Sequence, residues 1–368
     1  MSKNIPEIPF TELCERAQST SRSPDEAQTK IRGTVQDVYS RGIPFAHDWD
    51  FLFASTSIVT IGKYKEGTVS VNTGATTVVF SSDAVMTTSM NGYKIKIGGN
   101  DVVYRFDYAD ATSGTITPAF RGASNASSNS YSIFQPVYTL PTNFDRFPKN
   151  GGVFRWVGGQ KEILEEVAYQ DYAIDYQASP SLAEKVRLLS TDSLGRMQIE
   201  LTPAPNDARI YGCDYIRRLN PMYATSAGTV TTLATDTTVT GSTGCYFTEA
   251  QTGDWFRITD FGNGDDSQWY RITAIAHDSS LTVQTAFTNS GSTAAKYTIS
   301  RAPDMPVRLH PAIMWSSLKQ MTLDQSDPNA AFYLQMEQEV MDNCKKLYIT
   351  RNYSQKLNTV AEDYLYRR

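Results

Sequence analysis

The sequence predicts an α+β fold: a helical core with a β-hairpin, interrupted by two homologous small all-β modules, each a barrel or a sandwich. Three observations predict it. A hexapeptide occurs twice, as TITPAF at Thr115 to Phe120 and TVQTAF at Thr282 to Phe287, and the chain around each copy matches the other. Within those copies apolar and polar residues alternate, which is the period of a half-buried strand. Outside them, apolar residues recur at helical spacing behind N-terminal capping signals.

The duplication reaches well beyond the hexapeptide. GTVSVNTGATTVV from Gly67 matches GTVTTLATDTTVT from Gly228, and GYKIKI from Gly92 matches GDWFRI from Gly253. VYRF from Val103 matches WYRI from Trp269, and YSI from Tyr131 matches YTI from Tyr297. The offset is 161 residues through the second glycine pair and 166 or 167 beyond it. It changes where GGND becomes DFGNGDDSQ, so the extra length falls in a turn, as expected for a duplicated β-module. Ile95 and Ile97 flank Lys96, as Phe256 and Ile258 flank Arg257. Gly-Asn, Ser-Gly and Asn-Ser clusters mark the turns. The modules, 67–136 and 228–302, read as roughly 70 residues each in five or six short strands. Cores that small are expected to lean on a host or a neighbouring subunit.

Removing both modules leaves 1–66, 137–227 and 303–368, which form the predicted core. In the first piece Ser23 and Glu26 make a capping box with Pro24 at the first helical position. Ile31, Val35 and Val38 then share a face before Gly42, Ile43 and Pro44 end the run. HDWDFLF, from His47, supplies an apolar plug of Trp49, Phe51, Leu52 and Phe53. In the second piece QKEILEEVAYQDYA reads as a helix. Met197, Ile199 and Leu201 alternate as a strand, Pro203 to Asn206 make a turn, and ARIYGCDYIRR returns as the other arm of the hairpin. In the third piece HPAIMWSSLKQMTL is helical. Asp327 and Pro328 open a further helix that places Phe332, Met336, Val340, Cys344 and Leu347 on one side.

Composition narrows the function classes. A chain of 368 residues suggests two or three domains, and 40% hydrophobic with 20% charged residues is ordinary for a folded protein. No apolar run is long enough to cross a bilayer, and the opening MSKNIPEIPFTELCERAQ lacks a signal-peptide pattern, so synthesis and folding in a cytoplasm are expected. Cys14, Cys213, Cys245 and Cys344 show no C-x-x-C spacing and read as buried thiols. A net charge of -5 argues against a broad basic face for nucleic acid. The second module carries seven acidic and four basic residues, and the first carries four of each.

Catalytic and metal motifs give no site. Asp260, Asn263, Asp265 and Asp266 in DFGNGDDSQ lack EF-hand spacing and the terminal glutamate, so a solvated turn is expected. His47, His277 and His310 are isolated from one another. GSTG at Gly241 is not a nucleophile elbow, and GGVFRWVGGQ at Gly151 lacks the phosphate-loop lysine. Glu162 to Glu166 read as a solvated helix face. The chain is therefore expected not to be an enzyme, with no catalytic residue, cofactor or metal.

The order of capped helices, DWDFL, YTLPTNFDRF, IELTPAPNDARIYGCDYIRR and LHPAIMWSSLKQMTLDQSDPNAAFYLQMEQEV resembles the head-to-tail adaptor (neck or connector) proteins of tailed bacteriophages. The resemblance covers the three non-modular pieces, a little over half the chain. The two β-modules depart from the smallest members of that group. The resemblance implies a structural virion protein that forms a dodecameric ring at the capsid–tail junction. Its implied partners are the portal protein, tail tube or nozzle proteins, and tail fibres. Double-stranded DNA would pass through the lumen without specific binding, and no membrane is involved. The segment RNYSQKLNTVAEDYLYRR is then expected to be a portal-docking arm, with Tyr353, Tyr364, Tyr366, Arg367 and Arg368 as anchors. An alternative is a tail or fibre-attachment protein whose modules hold a fibre or bind host-surface glycan through Trp255, Trp269, Tyr270 and Tyr104. A glycan-active enzyme is a third reading.

Overall fold

The computed structural model describes residues 7–21, 28–98, 100, 102–122, 126–149, 151–167, 180–260, 268–288, 291–322 and 329–349. Of these, 38% are strand and 24% helix, arranged in several large antiparallel sheets. The expectation of a helical core with small β inserts is therefore corrected: sheets make the body of the chain and helices are the minority. Two compact units result, Phe53–Arg217 and the described residues of Met1–Leu52 with Arg218–Arg368.

The first unit is all β among its described strands. In chain order these are β1 (Phe53–Val59), β2 (Val69–Val71), β3 (Thr77–Phe80), β4 (Tyr93–Ile97), β5 (Val103–Asp110), β6 (Ser113–Thr117), β7 (Ala126–Asn129) and β8 (Tyr131–Phe134). There follow β9 (Val137–Thr139), β10 (Phe144–Arg146), β11 (Val153–Val157), β12 (Gln160–Ile163), β13 (Glu165–Glu166), β14 (Lys185–Thr191), β15 (Met197–Thr202) and β16 (Ile210–Arg217). A five-stranded sheet, β1-β16-β11-β12 with β10 beside β16, and a four-stranded sheet, β13-β14-β15-β9, share one core. Ile58, Val153, Tyr211 and Cys213 from the first sheet meet Ile199 and Leu201 from the second.

Two local signals explain why this region is not helical. Gly158 and Gly159 both have positive φ, 57° and 82°. They form a two-residue turn that folds β12 back on β11, pairing Val157 with Gln160 and Phe154 with Ile163. Turn chemistry thus overrides the helix propensity of QKEILEE; residues 168–179 lie outside the described residues. The expected hairpin is also corrected. β15 and β16 both exist, but each pairs within a different sheet. Pro203 and Pro205 offer no N–H to a ladder, and the chain between them crosses from one sheet to the other.

The second unit begins with α1 (Phe10–Thr20) and α2 (Gln28–Asp37), which runs through a widened turn at Val38–Gly42 into α3 (Ile43–Ala46). Eight strands follow: β17 (Ala224–Thr225), β18 (Val230–Leu233), β19 (Thr238–Gly241), β20 (Trp255–Ile258), β21 (Tyr270–His277), β22 (Ser280–Val283), β23 (Gly291–Ala295) and β24 (Tyr297–Ser300). Helices α4 (His310–Thr322) and α5 (Ala330–Tyr348) close the unit. Ile31, Val35 and Val38 are buried, and so is Trp49, whose Nε1 donates to the Ile43 carbonyl at 2.7 Å. On α5 the buried residues are Tyr333, Met341 and Cys344. Phe332 and Leu347 are exposed, which corrects the face expected from spacing alone. Ser23, Pro24, Glu26, Asp327 and Pro328 lie outside the described residues.

The duplicated stretches fold with one topology. Across its sheet the first runs β7-β2-β3-β6-β5-β4-β8, and the second runs β23-β18-β19-β22-β21-β20-β24 with β17 added at the edge. Registers correspond as well: Ile95 opposes Ile133 as Phe256 opposes Ile299, and Thr77 opposes Thr115 as Thr238 opposes Thr282. The repeated hexapeptide ends in a buried core ring, Phe120 or Phe287. The phenylalanine N–H donates to the Ala75 or Asp236 carbonyl, and its own carbonyl accepts from Gly74 or Thr235. Strand, plug and loop clamp are therefore one device, and this is why the hexapeptide persists in both copies.

The two cores place an aromatic ring from different strand positions. In the first, Phe80 packs on Tyr131 with centroids 4.9 Å apart. The equivalent of Phe80 is Gly241, and there Phe247 packs on Tyr297 at 5.8 Å. A Cβ on Gly241 would lie 2.9 Å from Cys245 Cβ and Sγ and 3.0 Å from the Phe247 ring. Gly241→Phe is expected to cost about 3 kcal/mol, and adding Cys245→Ala with Phe247→Met, the residues found at Ala84 and Met86, to recover most of it in thermal melts. Gly212 is a second tight site, since a Cβ there would sit 2.1, 2.5 and 2.6 Å from Phe154 ring atoms. Gly212→Ala is expected to destabilise Phe53–Arg217 by about 2 kcal/mol, measured by urea unfolding.

Candidate functional site

The five-stranded sheet of Phe53–Arg217 buries one face and leaves the other open. Alternation along β1, β16, β11 and β12 puts Ile58, Tyr211, Cys213 and Val153 inward. On the outer side Ser57 opposes Gly212, Ser55 opposes Asp214, Phe154 opposes Gly212, and Trp156 opposes Lys161. At the centre the Asp214 carboxylate accepts from Ser55 Oγ at 2.5 Å and from Lys161 Nζ. Lys161 Nζ also sits 4.2 Å from the Phe154 ring centroid. Gly212 is bare so that the Phe154 ring can lie across it.

Large apolar side chains stand around this polar centre. Trp156 is 66% exposed, while Val59 at 65% and Ile210 at 68% are directly paired at the far end of the sheet. Ile163 is also exposed, on β12, which among the described strands pairs only with β11 and is solvated along its whole length. Exposed apolar residues scattered singly are ordinary, but a row on rigid strands beside an open edge marks an interaction surface. Sequence reasoning missed it, although the Gly-Gly turn and the alternation of FASTSIV were visible.

The cysteine and histidine candidates are held by burial or by neighbouring groups. Burial pushes the Cys14 and Cys213 thiols up to about 12 and raises Cys344, so none of the three is a thiolate at neutral pH. His310 is fully buried, with Nδ1 accepting from the Ile8 N–H at 3.1 Å and Nε2 lying 3.2 Å from the Met305 carbonyl. His47 stacks edge-on against Trp49 at 5.3 Å, and His277 engages Ser279. Among the described residues no group of three His, Cys, Asp or Glu could hold a metal, and no helix is long and apolar enough to cross a membrane. Asn263, Asp265 and Asp266 lie outside the described residues, as do Tyr353, Tyr364, Tyr366, Arg367 and Arg368.

The aromatic residues singled out for glycan are already engaged. Tyr104 and Tyr270 are buried, and their hydroxyls accept from the Arg121 and Thr288 N–H groups. Trp255 Nε1 donates to Glu7 at 3.2 Å. The Arg257 guanidinium covers Trp269 at 4.6 Å and pairs with Glu15.

No protein-family model matches the chain, and no curated protein is similar to it. Among solved structures it is similar to translation elongation factor SelB from Methanococcus maripaludis. The apo form matches at 10% identity and a TM-score of 0.16, covering 69% of this chain and 64% of that one. The complex with the GTP analogue GppNHp matches at 10% identity and the same TM-score of 0.16, covering 80% and 74%. Overlaps that loose carry no argument about fold or function.

His310 gives a testable acid dependence. Burial lowers its pKa from the ordinary 6.5, so the folded chain keeps it neutral where the unfolded chain takes up a proton. Its contribution is complete above about pH 6.5 and is lost as pH falls from there through the lower folded value. His47 is lowered too, also by burial first, and acts with the same sign. Between pH 7.5 and 5.5 the melting temperature should therefore fall, and His310→Gln should shrink that drop in calorimetry.

Proposed function

We propose that this chain is a structural virion protein of a tailed phage, a head-to-tail adaptor. It assembles as a dodecameric ring that joins the portal to tail components and lets the genome pass through the lumen. The observation that supports this reading is the outer face of the five-stranded sheet, with Trp156, Val59 and Ile210 exposed on rigid strands. Such a face is suited to being covered by another protein. Successive copies that each offer different surfaces make a heterologous contact, which closes into a ring when the rotation permits.

Further support comes from the sequence resemblance of 1–66, 137–227 and 303–368 to adaptor proteins, the corrected middle-piece helix and hairpin excepted. Phe332, Leu334 and Leu347 on α5 are further exposed apolar side chains. A net charge of -5 suits a lumen that releases DNA rather than holding it. In this reading Tyr353, Tyr364, Tyr366, Arg367 and Arg368 anchor on the portal. The protein works by shape and adhesion, without turnover.

Native mass spectrometry and electron microscopy of the purified chain, alone and with its portal, test the proposal. A closed ring is expected. Trp156→Glu with Ile210→Glu should leave the melting temperature nearly unchanged and weaken assembly at least tenfold. A chain that stays monomeric in both conditions would exclude the adaptor reading.

A further inference from the structure

A second site lies in the other unit, where α1 and α2 face the edge of the second β-module. A cavity of about 270 Å³ opens there, lined by Thr11 and Gln18 from α1, Arg32 from α2, and Thr259, Lys296 and Thr298 from the sheet. At about 30 Å³ per water in the liquid, that is room for a phosphate group and a small organic residue attached to it.

Three observations point to an anionic occupant. Thr11 is only 8% exposed, and its Oγ1 has no hydrogen-bond partner among the described residues. Buried hydroxyls are nearly always paired, so one left over at a cavity wall asks for a ligand atom. Arg32 and Lys296 line the same cavity, and among the described residues no carboxylate forms an ion pair with either. Asp260 accepts from the Lys296 backbone N–H at 3.4 Å. Glu15 is the acid on the wall, and its carboxylate is held by Arg257 at 2.5 Å. Positive charge therefore exceeds negative in a recess that also offers hydroxyl and amide donors.

The duplication supplies an internal control. Thr259 donates its N–H to the Lys296 carbonyl, as Gly98 donates to Ser130 in the first copy. The equivalents of Thr259 and Lys296 are thus glycine and serine, so the module does not need these side chains to fold. They belong to the second copy alone, where α1 and α2 complete the cavity.

We propose that this cavity binds a phosphate group, with Arg32 as a two-pronged donor, Lys296 as a point charge, and Thr11 Oγ1 supplying a short-range hydrogen bond. Guanidinium and ammonium together with hydroxyls suit a tetrahedral oxyanion, which has acceptor lone pairs on every side. The site is independent of the adaptor reading, because it needs neither assembly nor a portal.

Titration calorimetry of the full chain with inorganic phosphate, at constant ionic strength in chloride, tests it. Saturable binding is expected, and Arg32→Gln with Lys296→Gln should weaken it at least tenfold while Thr11→Val weakens it several-fold. Acetate should bind at least tenfold more weakly than phosphate. A second readout needs no variant: phosphate should shift the Ile31 methyl resonance at the cavity wall and leave Ile133 in the first module unmoved. Absence of saturation, equal binding by the double variant, equal binding of acetate, or an unmoved Ile31 signal would each overturn the assignment.

Discussion

Glu200 is the charge around which Phe53–Arg217 is organised. It lies on β15, is nearly inaccessible, and holds Arg187 at 2.6 Å and Lys94 at 3.7 Å. A buried carboxylate is tolerated only when cations and hydrogen bonds replace the water it lost. Arg187 comes from the neighbouring strand of the same sheet, where it is directly opposite Glu200. Lys94 comes from the first module. One carboxylate therefore requires both the sandwich and the module to be in place. Val103 and Phe134 from the module pack with Ala204 beside this ion cluster, adding apolar area to the same seam.

The second module attaches by the corresponding strands with different chemistry. Lys94 is matched by Trp255, Val103 by Trp269 and Phe134 by Ser300, and these meet the N-terminal segment. Trp255 donates to Glu7, and Ser300 Oγ accepts from the Thr11 N–H at 2.9 Å. Asp254 and Arg301 form a two-pronged pair, both largely buried, that fastens the end of β24 to the turn before β20. A module that keeps its own core can be grafted through one face, because changing that face leaves the internal packing alone. The exchange of Phe80 and Met86 for Gly241 and Phe247 shows the complementary freedom: the core keeps an aromatic ring against Tyr131 or Tyr297 while the position that supplies it moves.

The duplication was legible because its matched positions are the ones physics holds fixed. They are core rings such as Phe120 and Phe287, and left-handed turn residues such as Gly67 and Gly228, with φ of 76° and 79°. The helical-core expectation failed where single residues outweighed a window of propensities. Gly158 and Gly159 turned a run of Glu and Lys into a strand, and Pro203 with Pro205 sent β15 and β16 to separate sheets. On α5, spacing identified a helix but not which side was buried, since Phe332 and Tyr333 compete as neighbours for the same place. The open sheet face was illegible for a related reason. Alternation assigns residues to two sides without saying which side meets solvent when both carry Val, Ile and Trp.

In the proposed adaptor, that open face is covered by another surface. Asp214, Ser55 and Lys161 satisfy one another before any partner arrives. Covering an unpaired charge demands a compensating group from the partner, whereas covering a closed cluster asks only for apolar contact around it. Trp156 stands beside the cluster, and Val59 with Ile210 marks the far end of the same sheet, so a partner needs shape and hydrocarbon more than matching charges. Binding energy then concentrates on a few large side chains held rigid by strands. A surface of this kind exchanges one partner for another poorly, because its selectivity lies in fit. That property suits a part assembled once and kept.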